Sequence, residues 1–373
     1  MRIVIVSLAL GVSIACSRGS FDGFMASGDR YVSARKFAEA AIEYENAARL
    51  DGRSAQVQVK LGEAYLALEQ PANAAAAFEE ACQLDQHDTA VCLRAASQLL
   101  ATGQFDRAMA PARAVLAVDR FNLDAQLILA SALAGTRRFA DAEERLEAVL
   151  AVSPSDARVY NALGDVQSQR GHSQAAEASY RHAVQLDPIS PAPRVSLAKL
   201  LFDSRRAADG EKELKAALAA NPDDVDANRA YASYLVGTDR CEDAESYWKK
   251  AAMESNDVED WLSLADYYVW SSRPDDALKV LAEVGTRDTT GAVRARTASI
   301  LYDRGDHDKA STMVDELLDR DPSNVSGLLL RARMAIDAHD TARARDYAHR
   351  AATIAPNDAA VRDMLATLSE SEQ

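Results

Sequence analysis

The chain contains no GxxxxGK(S/T), no GxGxxG at a strand–helix junction, no HExxH and no GxSxG. The phosphate cradle, dinucleotide turn, zinc-protease pair and nucleophile elbow that these motifs build are therefore not signalled. Its six histidines form no i, i+3 or i, i+4 pair with one another or with cysteine, which argues against a metal site. Positive charge is in deficit. A net charge of -15 disfavours long-range attraction to nucleic acid or anionic lipid and favours a basic partner, or a basic patch on one. Aromatics are only 6% of the 373 residues while alanine abounds, a balance that points to closely packed helices. After the first sixteen residues no apolar run approaches the eighteen needed to span a membrane, so the remainder reads as soluble.

Those sixteen residues, MRIVIVSLALGVSIAC, stand apart. One positive charge at Arg2 precedes an apolar run from Ile3 to Ile14. Twelve helical residues rise ~18 Å, short of a ~30 Å hydrocarbon core, so a secretory signal over 1–15 is the natural reading. Ser13-Ile14-Ala15-Cys16 resembles the lipobox of bacterial lipoproteins, although Ser13 stands where that family usually has Leu, Val or Ile. The resemblance implies that Cys16 becomes the lipidated first residue, with 16–20 as a linker. Ser17, rather than Asp, implies sorting to the outer membrane facing the periplasm. Ser13-x-Ala15 would also suit ordinary signal peptidase and a soluble periplasmic product.

The segment YNALGDVQSQRGHSQAAEASYRHAVQLDP, from Tyr160 to Pro188, recurs in frame as AYLALEQPANAAAAFEEACQLD, ALAGTRRFADAEERLEAVLAVSP and LLFDSRRAADGEKELKAALAANP. The period is 34 residues, and ten copies begin near Phe21, Ala55, Thr89, Leu123, Ala157, Pro191, Val225, Val258, Gly291 and Val325. The eighth position of every copy is Gly or Ala, from Gly28 to Ala332, and so is the twentieth, from Ala40 to Ala344. Larger side chains there would force paired helices apart. Pro154, Pro188, Pro222, Pro322 and Pro356 close their copies, because proline cannot continue a helix.

This pattern resembles the tetratricopeptide repeat. The resemblance implies an all-α, right-handed superhelical solenoid of ten helix-turn-helix repeats over 21–356 with a concave channel. Residues 357–373 would supply a C-terminal capping helix, with Val361, Met364, Leu365 and Leu368 on its apolar face, and a polar tail. Pro111 lies inside a second helix and should kink it, and Arg120 replaces a closing proline. The stretch 283–291 is the least regular linker. If Cys16 is lipidated, Cys82, Cys92 and Cys241 remain. A Cys82–Cys92 bridge would join the second and third repeats. Buried free thiols are the reading favoured, since a bridge tolerates only a narrow Cα spacing.

The same resemblance implies a non-catalytic scaffold, without cofactor or metal, that holds peptide segments of partner proteins along its first helices. Carried onto this chain, the groove positions include Asp165, Phe202, Asp203, Arg229, Asp266, Trp270, Tyr302, Asp303 and Arg333. Phe202, Trp270 and Tyr302 would be exposed anchors rimmed by Asp203, Asp266 and Asp303, suited to a segment with Lys or Arg beside an apolar residue. The early repeats present Val59, Leu66, Leu93, Leu100, Leu127 and Ala134 instead. The expected setting is cell-envelope assembly or export: exopolysaccharide, secretin or pilus, or outer-membrane protein machinery. The alternative is an accessory subunit of a periplasmic glycan-synthesising or glycan-modifying enzyme. Nucleic acid is not an expected partner, and membrane contact is expected only through the lipid.

Overall fold

A computed structural model describes residues 19–370 apart from 69, 256, 286 and 289. The expected leader, Cys16 and the end of the polar tail lie outside the described residues. Among the described residues there are twenty-one α-helices and no strand. They fall into two compact units, one ending at Pro188 and the other beginning at Ile189. The first unit contains α1 (Phe21–Ser33), α2 (Phe37–Leu50), α3 (Ala55–Ala67), α4 (Pro71–Leu84), α5 (Thr89–Ala101), α6 (Phe105–Val118), α7 (Leu123–Gly135), α8 (Phe139–Val152), α9 (Ala157–Gln169) and α10 (Ser173–Leu186). The second contains α11 (Pro191–Asp203), α12 (Ala207–Ala220), α13 (Val225–Gly237), α14 (Cys241–Glu254), α15 (Val258–Trp270), α16 (Pro274–Val284), α17 (Ala292–Asp303), α18 (His307–Arg320), α19 (Val325–Asp337), α20 (Thr341–Ile354) and α21 (Ala359–Glu370). Each unit is an all-α repeat solenoid, in which an odd-numbered helix opens a repeat and packs on the even-numbered helix that follows.

One backbone device turns each first helix into its second. The fifteenth residue of the repeat adopts a left-handed conformation at Arg35, Gly103, Arg137, Gly171, Arg205, Asp239, Ser272, Gly305 and His339. Around Arg35, the N–H of Lys36 donates to the Tyr31 carbonyl at 2.8 Å and that of Arg35 to Val32 at 2.9 Å. This is the Schellman arrangement, which satisfies the last carbonyls of the helix. Glycine accepts the conformation freely; the six other residues carry a steric cost of about 1–2 kcal/mol each. The return turns end in side-chain caps. Asp88, Asn122, Asp224 and Asn324 each accept a hydrogen bond from the backbone N–H three residues on, and such caps contribute ~1 kcal/mol apiece.

Every described residue at the eighth and twentieth positions is buried. Glycine occupies the eighth position in the three repeats whose twenty-fourth residue is Tyr or Phe. A Cβ on Gly28, Gly62 or Gly164 would stand 2.4, 2.8 or 2.5 Å from the ring of Tyr44, Phe78 or Tyr180. The ring fills the place the missing methyl leaves.

Three local expectations meet the structure here. The helix α6 runs unbroken through the buried Pro111. The linker over 283–291 leaves α16 at 11 residues, against 14 for α14, and Gly291 (φ 79°) forms the N-cap of α17. Cys82 and Cys92 are not free thiols: they are joined, with Cα atoms 4.7 Å apart. The reason is the turn between α4 and α5, which reverses the chain within four residues and lays the last turn of one helix beside the first turn of the next. At the other terminus α21 buries Val361 against Leu328 and Ala351, and Leu368 against Ala335 and Ala348, so the last repeat does not leave its apolar side to water.

Candidate protein-binding face

The first helices of the second unit bring most of the sequence-predicted residues onto one kind of surface. Phe202 stands near the end of α11, and its ring stacks on Tyr234 of α13 with centroids 4.7 Å apart and planes 8° from parallel. It can lie against α12 because residue 210 is glycine; a Cβ there would sit 2.4 Å from the ring. Phe202 is therefore half-buried and not the exposed anchor expected. Tyr234 in turn donates to Glu211 at 3.2 Å, as Tyr231 does at 3.1 Å. With Arg240, then Lys215, and these phenols hydrogen-bonded to it, Glu211 titrates at about 2. Phe202, Tyr234, Lys199 and Arg229 line a cavity of about 460 Å³.

Arg229 is fixed by a fork. Its Nε and Nη2 donate to the two oxygens of Asp260 at 2.7 and 2.8 Å, and its Nη1 donates to Asp226 at 3.0 Å. Asp260 is 1% exposed. A carboxylate so buried needs a paired donor, and the preceding repeat's arginine supplies it in bidentate form.

Farther along, Asp266, Arg296, Arg333 and Met364 line a second cavity of about 510 Å³ over α15, α17, α19 and α21. Asp266 is exposed but paired with Arg296 at 2.5 Å. Asp303 is paired with Arg333, whose guanidinium lies 4.9 Å over the Tyr302 ring. Tyr302 donates to Asp337 at 2.7 Å and meets His307 edge-on at 4.6 Å. It too is half-buried, which corrects the second expected anchor. Trp270, the last residue of α15, is 58% exposed. Asp203, the last residue of α11, is exposed and has no ion pair among the described residues.

Asp165 belongs to the first unit and is engaged in its packing. It accepts from Tyr180 Oη at 2.8 Å and from Asn161 Nδ2 at 3.3 Å. Burial, then the Asp165 charge, pushes the Tyr180 phenol far above its ordinary range. Asp29 and Tyr44 repeat this pair in the first repeat at 2.7 Å. The aliphatic residues Val59, Leu93, Leu100 and Leu127 pack against the core of the first unit.

Asp260, Tyr234 and Arg296 escaped the reading of groove positions, yet they organise the face. A signal for the charged ones exists. Arg229 and Asp260 are 31 residues apart, Asp266 and Arg296 30, and Asp303 and Arg333 30. Opposite charges spaced a few residues short of one repeat lie side by side on successive first helices. Among the described residues, no group of three His, Cys, Asp or Glu could hold a metal ion, and no helix is long and apolar enough to cross a membrane.

Two sequence profiles described as tetratricopeptide repeat match the chain, one over 99–166 and 169–234, the other over 25–89 and 295–359. The chain belongs to the tetratricopeptide-repeat family. Members are in general protein–protein interaction scaffolds that bind proteins or peptides, and the fold is typically non-catalytic. Similar solved structures include a tetratricopeptide repeat protein from Parabacteroides merdae ATCC 43184, at 14% identity and TM-score 0.51 over 65% of this chain and 97% of that one. Yeast Tom70 is similar at 15% identity and TM-score 0.50, over 94% and 88%. A thermophilic TPR protein of Thermus thermophilus is 25% identical with a TM-score of 0.43, over 49% of this tetratricopeptide-repeat chain and 100% of that one. With the Parabacteroides protein and Tom70 the likeness is one of fold. No curated protein matches the sequence.

Proposed function

We propose that this chain is a non-catalytic periplasmic scaffold, tethered to the outer membrane by lipid on Cys16, that serves cell-envelope assembly or export. Partner segments would bind along the first helices of the second unit. The observation that carries the reading is the pair of cavities, about 460 and 510 Å³, along these helices, bounded by side chains already locked by ion pairs and stacking. Fixing those groups in advance lowers the entropy cost of binding an extended peptide. Trp270 supplies an exposed aromatic anchor and Asp203 an unpaired carboxylate for a basic residue of the partner. Because Asp266 and Asp303 are already paired, a partner Lys or Arg would have to displace an arginine to reach them. The Cys82–Cys92 bridge suits an oxidising compartment, as the lipobox-like residues before Cys16 do. A lipid at one end would hold the partner's neighbourhood constant and raise its effective concentration.

The test is retention from envelope extract by the immobilised chain, with bound proteins identified by mass spectrometry, beside a Trp270→Ala, Asp203→Ala variant of unchanged circular dichroism. A basic, apolar-containing partner lost by the variant supports the reading. Equal retention by both would remove Trp270 and Asp203 as anchors of the partner. Acyl mass on Cys16 in membrane-extracted protein tests the anchor separately, and a soluble, unmodified product would remove it.

A further inference from the structure

A third cavity lies within the first unit and has the opposite electrostatic character to the chain. It is about 750 Å³, within the range of about 300–1,000 Å³ typical of ligand sites. It is built from α6, the turn after it, α7 and α8. Four arginines line it, Arg113, Arg120, Arg138 and Arg145, against two acids, Asp141 and Glu144, in a protein whose net charge is -15. Of the four, Arg138 is committed to Asp141, its Nε donating at 2.8 Å. Arg145 donates from Nη1 to Gln126 at 2.8 Å, but its Nε is buried without a hydrogen-bond partner. Arg113 and Arg120 have no ion pair among the described residues, and Arg120 rests 4.6 Å over the Phe121 ring.

Beneath the charges the wall is apolar. Leu129 and Leu133 are buried at its base, while Phe121 (61% exposed) and Val152 (63%) stand in solvent at its edge. Val152 is the last residue of α8, and the last residues of α2, α4 and α6, namely Leu50, Leu84 and Val118, are exposed as well. A third-repeat departure contributes directly: Arg120 occupies the position at which Pro154 and Pro188 close the next two repeats.

We propose that this cavity binds an acidic, amphipathic segment of a partner protein, with an apolar side chain over Leu129 and Leu133 and flanking carboxylates on Arg113, Arg120 and Arg145. Charge complementarity selects the occupant. Guanidinium forks match carboxylates in geometry as well as sign. A basic segment of the kind suited to the second unit would meet unpaired positive charge and be rejected.

Panning a random dodecapeptide phage library on the purified chain tests the site, followed by fluorescence anisotropy with labelled synthetic peptides from the enriched sequences. The expected peptides place Asp or Glu beside Leu, Ile or Phe. Their affinity should fall at least tenfold in Arg113→Glu, Arg120→Glu, fall by less in Arg113→Lys, Arg120→Lys, which keeps the charge but loses the fork, and weaken as salt rises from 50 to 300 mM. Both substituted positions are exposed, and circular dichroism checks that the fold is kept. Basic peptides that bind the Glu variant equally belong to the second unit. Basic or uncharged peptides whose binding is lost in the Glu variant, acidic peptides indifferent to that variant, or no acidic peptide enriched at all would overturn the proposal. So would binding of laurate without any peptide, which would make this a small-molecule site.

Discussion

On the first helices of the first unit, Val59, Leu93, Leu100 and Leu127 are aliphatic and half-buried, absorbed into the core. The corresponding helices of the second unit carry Phe202, Arg229, Asp266, Tyr302 and Arg333, each tied to a residue of a neighbouring repeat. The backbone plan is common to both: the same left-handed turn residue, the same capped return and the same small residues at the contact. Successive first helices pair charges in both units, Lys60 with Asp29 and Arg94 with Glu63 in the first, so the difference lies in what stands among those pairs. Where aliphatic groups stand there the face is a wall. Where rings and a buried carboxylate stand there it becomes a set of fixed polar fixtures with space between them. A repeat fold therefore leaves the character of its face to a few positions per repeat.

All three tryptophans, Trp248, Trp261 and Trp270, lie in the second unit, so tryptophan fluorescence reports that unit while circular dichroism reports both. This permits the comparison to be broken one unit at a time. The largest effect is expected from Arg229→Ala, which strands the buried Asp260 carboxylate. Its cost should be about 3 kcal/mol, seen in urea unfolding followed by fluorescence, and Arg229→Ala, Asp260→Asn should recover part of it. Next, Cys82→Ser, Cys92→Ser should remove about 2–3 kcal/mol from the first unit. Circular dichroism should show the shift and fluorescence should not. Gly164→Ala, which drives a Cβ into the Tyr180 ring, should destabilise the same unit by about 1–3 kcal/mol.

Acid should separate the units again. Glu211 and Glu245 are both held at about 2, Glu211 by Arg240 and Glu245 by Arg273 first, then by Lys215 and Lys249 and by tyrosine hydroxyls. A folded-state pKa below the ordinary carboxylate value contributes stability that is complete above that value. This contribution is lost as pH falls from 4.5 toward 2. The fluorescence-detected transition should weaken over that window, and less so in Glu211→Gln, Glu245→Gln. The smallest effect should come from Arg205→Gly, which relieves a left-handed residue (φ 60°) and should stabilise the second unit by up to about 1 kcal/mol.

The ease with which each feature is seen in the sequence follows from its physical range. The Gly and Ala positions are legible because helix–helix contact imposes size at a fixed spacing, with no tolerance for drift. The left-handed turn is legible only where Gly103, Gly171 and Gly305 mark it. Arg137 and Ser272 adopt the same backbone for the sake of the Schellman hydrogen bonds, and nothing in their side chains announces it. Phe202 and Tyr302 are polar-face positions by register, but burial depends on partners one repeat away, Tyr234 and Asp337, that register alone does not pair. The Cys82–Cys92 proximity is a property of the four-residue turn rather than of either helix.

The bridge also bears on how the array comes apart. Linear repeats open from their ends, with each repeat held only by its neighbours. Cys82 belongs to the second repeat and Cys92 to the third, so a fray advancing from α1 meets a covalent stitch at this junction. Amide exchange should then divide there: α1 to α3 opening early and piecemeal, α4 and α5 surrendering their protons in a single event, and only under reducing conditions joining the continuous gradient that an unstitched array would show.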